Sequence, residues 1–521
     1  MRKALGLMLA MLVLMGFAPA QGELTVAIRN IDYDTFDPNV SSFTQAAYVF
    51  RNIFDRLIYI DENSDLVPWL ATSWEANEDA TVWTLTLREG VTFHDGTPFN
   101  AEAVVYNFER MVDPATQSRQ AGPLLGPYDR TEIIDGNTVE VHFTEPYALF
   151  SFALSSPFMG LVSPAAVEEA GDRFNQVLIG SGPFKFVSEN PHVEVVLEQN
   201  PDYNWGPEGL HEGPAYLDRL VFKFILEDET RLATLLSGET DIIDEIPPAQ
   251  VDRILQDPTF EVFGAPKVGI ARSVFFNTQK PPVDDIRVRR AILHAIDREA
   301  INIAIFKGVY PLASVVLTPG TRFYDATLEE LYPYDPEGAI ALLEEAGWTE
   351  MNRDGFRVKD GEVLRIDHTT FPGFVAEAPA EIIQAQLRDV GIDMSITVVQ
   401  GAAYLDGIIS PDSIYHSSLI GTYSPDPGLI LNRTFNSAGM GTTNWAHYAN
   451  PELDALLQEG LQTTDEAART EIYAAAQKII MENAVVAPIY ANVSIFGAQG
   501  GVSGFKFDPY AQPEFFDIRV E

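Results

Sequence analysis

Cysteine is absent from the chain, and positive charge is scarce. The lack of any Cys among 521 residues excludes disulfides and thiolate chemistry. Only 34 Lys and Arg residues oppose 75 Asp and Glu residues, which gives a formal net charge of −41 at pH 7. Phosphate backbones and anionic membranes would repel such a chain, so neither nucleic acid nor a membrane surface is an expected partner. The acidic balance indicates either a solvated acidic surface or a field that attracts a cationic solute.

Catalytic and metal-binding patterns are also scarce. The 8 histidines include no pair at the i, i+4 spacing of a helical zinc site. There is no G-x-S-x-G elbow, no Walker A loop and no G-x-G-x-x-G dinucleotide loop. Ser503-Gly504-Phe505-Lys506 matches S-x-x-K, but the companion K-T-G element is missing. A secreted hydrolase stays open as an alternative of another class, whereas the pattern favours a protein with no enzymatic activity and no cofactor.

The only long apolar run lies at the N-terminus. Arg2 and Lys3 precede an apolar segment from Leu5 to Phe17, and Ala18-Pro19-Ala20 has the form of a cleavage site. Residues 1–20 therefore predict a cleavable signal peptide, because the apolar run is too short to span a bilayer. No later stretch reaches roughly 18 uncharged apolar residues, so the mature protein is expected to be soluble. Without cysteine it cannot carry a lipid anchor at the cleavage site.

The run from Leu66 to Met111 is the most specific part of the sequence. Val82 to Leu87 alternates apolar and polar residues, as a half-buried strand does. A second short strand is expected at Val91-Thr92-Phe93, followed by a tight turn at His94-Asp95-Gly96-Thr97-Pro98. Asn100 is placed to cap a helix from Ala101 to Met111. No catalytic group is needed to explain this pattern.

Several motifs along the chain resemble those of one protein family. Pro68 to Glu75 and Leu87 to Val104 resemble the signature of the extracytoplasmic solute-binding proteins of dipeptide, oligopeptide and nickel ABC importers. Further motifs follow in the family's order at Gly180–Phe184, Asn277–Arg298, Tyr334–Trp348 and Ala474–Tyr490. The resemblance covers essentially the whole mature chain. Its C-terminal third is most similar to the glutathione-binding branch.

The resemblance implies the α/β class II periplasmic-binding-protein fold, with two lobes joined by a hinge. A chain of this length is in any case too long for one core. We expect lobe I at residues 21–60, 187–276 and 488–521, with an extra domain inserted at 61–186, and lobe II at 277–487. Strong helices are expected from about Ala46 to Tyr59 and from Asp284 to Lys307.

The function implied by the resemblance is that of a periplasmic substrate-binding subunit of an ABC importer. Such a protein captures a short or modified peptide, for example a dipeptide, an oligopeptide or a glutathione-like solute, and delivers it to the membrane permease. We expect a monomer. An oligosaccharide-binding member of the same family is the alternative, and a purely structural surface protein is disfavoured by the motifs.

One position departs from the family pattern. In peptide-binding relatives an aspartate holds the α-amino group of the peptide, since a buried ammonium needs a paired carboxylate. Matching Asp426-Pro427 to the family's acidic-Pro pair puts Tyr423 in the place of that aspartate. Asp426 is a substitute ligand if the loop differs, or otherwise a turn residue. The metal-linked histidine of the nickel branch would fall near Gly439, where no histidine occurs, so no metal is expected.

The other candidate ligand-binding residues come from position and chemistry. Arg119 and Arg433 would pair with a solute carboxylate, or are ordinary surface arginines. Trp445 and Tyr423 would supply aromatic walls, with core packing as the alternative for Trp445. The remaining candidates belong to a first-lobe loop that lines the cleft in relatives: Phe43, Thr44 and Gln45.

Overall fold

Two large β-sheets organise the protein, which is described here by a computed structural model. The structure describes residues 22–29, 34–372, 374–400, 402–424 and 426–521. Each sheet has its own hydrophobic core, one built mainly from residues before 223 and the other mainly from residues after 269. The predicted signal peptide, residues 1–20, lies outside the described residues.

The first sheet has seven strands, and its central strands are parallel. Glu23–Ile28 pairs in parallel with Arg219–Phe224 on one side and with Ile242–Ile243 on the other. The carboxyl ends of these three strands therefore share one edge of the sheet. The strand order is Phe260–Pro266, Val493–Gln499, Ile242–Ile243, Glu23–Ile28, Arg219–Phe224, Glu194–Gln199 and Phe184–Asn190.

The second sheet has five strands around Gly269–Phe276, in which every residue is buried. This strand runs antiparallel to both of its neighbours, Ser417–Tyr423 and Val486–Tyr490. Its amino end consequently lies at the same edge as the carboxyl ends of the other strands. The strand order is Asp393–Val398, Arg365–Thr370, Ser417–Tyr423, Gly269–Phe276 and Val486–Tyr490.

A smaller antiparallel sheet is built from the segment predicted as an inserted domain. Its strand order is Ala71–Ala76, Val82–Leu87, Thr138–Phe143 and Tyr128–Asp135. The predicted strand at Val82–Leu87 is confirmed. The predicted helix is also confirmed at Ala101–Val112, where the Asn100 side chain accepts a hydrogen bond from the backbone N–H of Ala103 at 3.0 Å. The second short strand is reduced to one isolated pairing, between Thr92 and Pro98.

Two predicted helices are shorter in the structure. The helix expected from Ala46 to Tyr59 runs only over Thr44–Phe50, because the chain then turns into the strand Ile58–Ile60, which pairs with Leu66–Pro68. The helix expected from Asp284 to Lys307 breaks at Ile296, whose backbone is extended. Asp297 then caps a new helix by accepting from the backbone N–H of Ala300.

The remaining elements are mostly short and cover the sheets. The other α-helices are Ala121–Leu124, Phe150–Ala153, Pro164–Ala170, Asp228–Ser237, Pro248–Leu255, Ile286–Ala295, Arg298–Ile301, Pro336–Glu345, Phe374–Asp389, Ala402–Ile409, Pro427–Phe435, Pro451–Gln462 and Glu466–Glu482. Short segments of other helix types are Pro157–Met159, Gly171–Gln176, Asn302–Phe306, Ala326–Leu328 and Ser437–Gly439. The short strands are Glu350–Met351, Arg357–Lys359, Glu362–Val363, Val502–Ser503, Lys506–Phe507, Pro513–Glu514 and Arg519–Val520. Within the described ranges, no helix has both the length and the apolar character to cross a membrane.

The chain crosses between the two sheets twice, at neighbouring points. It leaves the first sheet after Pro266 and enters the second at Gly269, and it returns between Tyr490 and Val493. The limits predicted for the lobes stay a proposal. Strand pairing places Gly269–Phe276, which the sequence assigned to lobe I, in the five-stranded sheet.

Candidate ligand-binding cleft

The two crossovers lie at the edge where the strands of both sheets end. In open α/β sheets, ligands bind outside the carboxyl ends of the parallel strands. In the first sheet, Arg29 and Asp244 follow two of these ends directly. In the second sheet, Tyr423 and Tyr490 are the last residues of their strands. We therefore take the space between these ends, beside the crossovers, as the candidate cleft.

The first-sheet side of the cleft is acidic. Asp244 is buried, forms an ion pair with Arg231 at 3.0 Å and accepts from the backbone N–H of Arg29 at 2.9 Å. Burial is the main cause that raises the pKa of the Asp244 carboxyl, and the neighbouring Glu245 raises it further. Glu245 itself is half-exposed, pairs with Arg29 at 3.2 Å and has a positive φ of 48°. A non-glycine residue in that conformation is strained, as residues at functional sites often are.

The second-sheet side of the cleft is basic and aromatic. The Arg272 side chain is buried, with its guanidinium carbon 5.1 Å from the centre of the Phe371 ring. It lies opposite Tyr490 in the strand pairing. Within the described part of the chain, Arg272 Nε has no hydrogen-bond partner and no carboxylate lies within 4.0 Å of the guanidinium. Sequence reasoning missed this residue, although an arginine inside the apolar run GIARSVFF was a signal.

Tyr423, which the sequence predicts as a ligand-binding residue, lies beside Arg272. Its hydroxyl is buried without a hydrogen-bond partner of good geometry among the described residues, and Lys267 Nζ lies 5.7 Å from the centre of its ring. Burial raises the pKa of the Tyr423 hydroxyl, which therefore stays a neutral donor. Burial lowers the pKa of the Lys267 ammonium, and the nearby Arg272 lowers it further.

The acidic and basic sides lie within electrostatic reach of each other. Burial is the main cause that raises the pKa of the Tyr310 hydroxyl. Glu245 raises this pKa further, and Arg272 lowers it. Glu245 and Arg272 also act in opposite directions on Lys267, in the crossover. Carboxylates, each paired with an arginine, form the acidic pole of the cleft at the first sheet. Arg272, which has no carboxylate partner among the described residues, forms the basic pole at the second sheet.

The first-lobe candidates Phe43, Thr44 and Gln45 lie at the start of the helix Thr44–Phe50. Tyr48 in that helix has its pKa raised by burial and then by Asp244 and Glu245, which places the helix beside the acidic pole. The helix also contacts Pro157–Met159, as does Ala121–Leu124, which follows the exposed Arg119. Both helices therefore pack against the same short helical segment, Pro157–Met159, so the residues next to Phe43 lie near those that follow Arg119.

Asp426 has a full set of partners within the second lobe. Its carboxylate accepts from Arg469 through both oxygens, at 2.8 Å each, and from the backbone N–H of Gly428 at 2.8 Å. It caps the helix Pro427–Phe435 and is 2% exposed. These contacts explain the aspartate as a structural turn and cap residue.

Trp445 and Arg433 lie away from the crossover edge. The Trp445 ring packs edge to face on Phe275, at 5.3 Å and 76°. Phe275 is near the opposite end of its strand from Gly269, where the crossover enters. Arg433 is exposed in the last turn of Pro427–Phe435.

Two other chemical hypotheses can be compared with the geometry. Lys506 of the S-x-x-K match forms an ion pair with Asp517 at 3.2 Å, so this lysine has a partner other than Ser503, a carboxylate. Glu132, Glu140 and His142 of the small sheet bring donor atoms within 4.8 Å of one another. Glu132 is exposed and accepts from Arg130 at 2.8 Å, so an ordinary surface ion-pair network accounts for it.

The fold and cleft define the class as a two-lobe binding protein that holds a solute between α/β lobes. The chain belongs to the bacterial extracellular solute-binding proteins, family 5, whose family model matches residues 65–442. Members of this family bind solutes without converting them and work with ABC importer permeases. The hydrolase alternative is therefore set aside.

Similarity to individual proteins extends over nearly the whole chain. The glutathione-binding protein GsiB of Escherichia coli K12 is 29% identical over 526 residues, which cover 99% of this chain and 98% of GsiB. The periplasmic binding protein DppA of Helicobacter pylori, solved with the peptide STSA, is 26% identical with a TM-score of 0.77, covering 96% of this chain and 98% of DppA. NikA of Brucella suis, solved with Fe(III)-EDTA, has a TM-score of 0.84 at 23% identity and covers 96% of this chain and 100% of NikA. This last likeness shows the fold alone.

Proposed function

We propose that the protein captures a short or modified peptide in the cleft between its two lobes and delivers it to the membrane permease of an ABC importer. The observation that carries the proposal is the pair of adjacent crossovers beside a cleft with an acidic pole at one sheet and a basic pole at the other. A peptide-like solute has both an ammonium and a carboxylate, which match these poles. The names of GsiB and DppA support the same solute class.

The mechanism follows from two lobes that the chain connects through the two crossovers. In the open state the cleft groups are hydrated, and a solute bound to one lobe makes few contacts. Closing brings the second lobe onto the solute and excludes water, which strengthens each charged contact. The solute shifts the population toward the closed state by the difference between its affinities for the two states. The closed form is the one we expect the permease to bind.

The charged poles disfavour the oligosaccharide alternative. A neutral sugar would close the lobes over Arg272 and Glu245 without supplying an opposite charge to either. Desolvating charges without compensation costs several kcal/mol in typical cases, about the scale of a micromolar binding energy. We also propose that residues 1–20 direct export and are removed, so that the protein works as a free monomer in the periplasm.

Native mass spectrometry of the protein purified without refolding tests the proposal directly. We expect a stoichiometric small-molecule adduct that is identified after release as a peptide or a thiol peptide. Small-angle scattering then tests the closure, because a saturating peptide should lower the radius of gyration. A sugar adduct would favour the alternative solute, and an unchanged radius at saturation would contradict the hinge mechanism.

A further inference from the structure

Arg272 differs from every other buried arginine in the described part of the chain. Arg51, Arg231 and Arg469 each have a carboxylate partner at 2.8 to 3.0 Å. Backbone carbonyl oxygens accept from Arg56, Arg289, Arg298 and Arg357. Arg272, at 6% exposure, has neither kind of acceptor in hydrogen-bonding geometry among the residues that the structure describes. Its charge is therefore desolvated without a counter-charge among the described residues, in a protein whose net charge is −41.

Among the described residues, the surroundings of Arg272 supply aromatic rings and tyrosine hydroxyls but no carboxylate. The Phe371 face contributes a cation–π contact, and such contacts are worth about 0.5–2 kcal/mol. Tyr423, beside the guanidinium, has its own hydroxyl unpartnered among the described residues. Lys267 lies near enough for Arg272 to lower its pKa, and a second basic side chain cannot neutralise the guanidinium. A buried guanidinium in this setting is favourable only when an anion joins it.

We infer that Arg272 is an anion subsite, which receives a carboxylate of the solute at the second-lobe side of the cleft. This inference rests on the proposed function and adds the orientation of the solute. A guanidinium can hold a carboxylate through two parallel hydrogen bonds. The unpartnered Tyr423 hydroxyl would donate a third, and the Phe371 and Tyr404 rings, 5.6 Å apart, form an apolar wall.

The inferred polarity is opposite to what an aspartate at this place would produce. Tyr423 stands where the family resemblance puts an ammonium-binding aspartate, and the adjacent charge is the cationic Arg272. The solute's ammonium would then lie across the cleft near the carboxylate of Glu245, whose side chain is 40% exposed. The acidic end of the solute points to the second lobe and its basic end to the first.

Calorimetric titration with paired probes tests this subsite. The probes are the peptide Ser-Thr-Ser-Ala and its C-terminal amide, and glutathione and its diester. For the wild-type protein we expect each free acid to bind about 10- to 100-fold more tightly than its neutral analogue, as for a hydrogen-bonded charge pair. Arg272→Gln should remove this gap, and Arg272→Lys should leave a smaller one.

Arg388→Gln is the matched control. Arg388 is an exposed arginine of the second lobe that lies over a phenylalanine ring, Phe356, at 5.3 Å, and it is remote from the cleft edge. This variant should keep the full gap between acid and neutral analogue. Thermal unfolding of each variant separates loss of the subsite from loss of the fold.

The possible results distinguish the subsite from the proposed function. Equal binding of acids and neutral analogues by the wild-type protein would overturn the subsite and leave the proposed function standing. A gap that survives in folded Arg272→Gln would do the same. Failure of all four probes to bind at millimolar concentration would count against both.

Discussion

The backbone N–H of Lys267 donates to the carbonyl oxygen of Asn492 at 2.7 Å, and this bond joins the two crossovers. Pro266, which precedes Lys267, pairs with Val493, which follows Asn492, and this is the last pair of these two strands of the first sheet. The two connections therefore form a single narrow strip between the lobes. A strip of this kind permits bending by rotation of a few backbone angles while both cores stay intact.

Gly269, the first residue after this strip, should not tolerate a side chain. Its φ is +131°, and an added Cβ would lie 2.6 Å from the Thr422 carbonyl oxygen and 2.7 Å from Tyr423 Cα. We expect Gly269→Ala to lower the free energy of unfolding by about 1–3 kcal/mol and to weaken solute binding, since Tyr423 must move. Urea unfolding and calorimetry measure the two effects.

Gly264→Ala is the matched control for that prediction. Gly264 lies in the strand that leads into the same crossover. A Cβ added there would lie 3.5 Å from the nearest atom, an ordinary van der Waals contact. Its effect on stability should be small. Equal effects of the two substitutions would argue against a special close contact at Gly269.

The buried pair of Asp426 and Arg469 should contribute to stability. Asp426→Ala leaves the Arg469 guanidinium buried without its carboxylate, so we expect a loss of about 3–5 kcal/mol in the free energy of unfolding. Glu466→Ala, which removes the 72% exposed partner of Arg322, should cost less than about 1 kcal/mol. If Asp426→Ala weakens binding and leaves stability unchanged, Asp426 is a ligand residue instead.

His368 should make stability depend on pH in the acid range. Burial lowers the pKa of His368 from 6.5 to about 3, and its ring Nδ1 lies 2.8 Å from Ser417 Oγ. Above pH 6.5 the ring is neutral in both states, so its contribution to stability is complete. As the pH falls from 6.5 toward 3, the unfolded chain binds a proton that the folded protein does not, and stability is lost.

His368→Gln tests this dependence. The wild-type slope attributed to His368 is about 1.4 kcal/mol per pH unit in that window, and the variant should lack it. Urea unfolding between pH 4 and pH 7 measures the slope, with the exposed His192→Gln as the control. Parallel curves for wild type and His368→Gln would contradict the prediction.

Arg119 should have a weaker effect on binding than Arg272. Arg119 is exposed in the structure, and an exposed charge pair is worth about 0–1 kcal/mol. We therefore expect Arg119→Ala to weaken binding of a carboxylate-bearing peptide by up to about fivefold. Unchanged affinity would remove Arg119 from the site, and a loss above tenfold would show that closure buries it.

The sequence by itself determined the local elements and the family. Alternation in Val82–Leu87 and the cap at Asn100 depend on neighbours a few residues apart, and both are confirmed. The predicted helix through Ile296 failed because a stronger local signal, the Asp297 cap, lay inside an apolar stripe. Four family motifs in order were enough to predict the class that the family model shows.

Only the tertiary structure decided which charged groups have partners. Asp426 and Arg469 are 43 residues apart in sequence, so no local pattern could show that this carboxylate is already engaged. Arg272 lies in a strand whose apolar pattern predicts burial but cannot show that no described carboxylate pairs with it. Charge compensation depends on which distant strand ends meet at the crossovers, and that is a property of the folded chain.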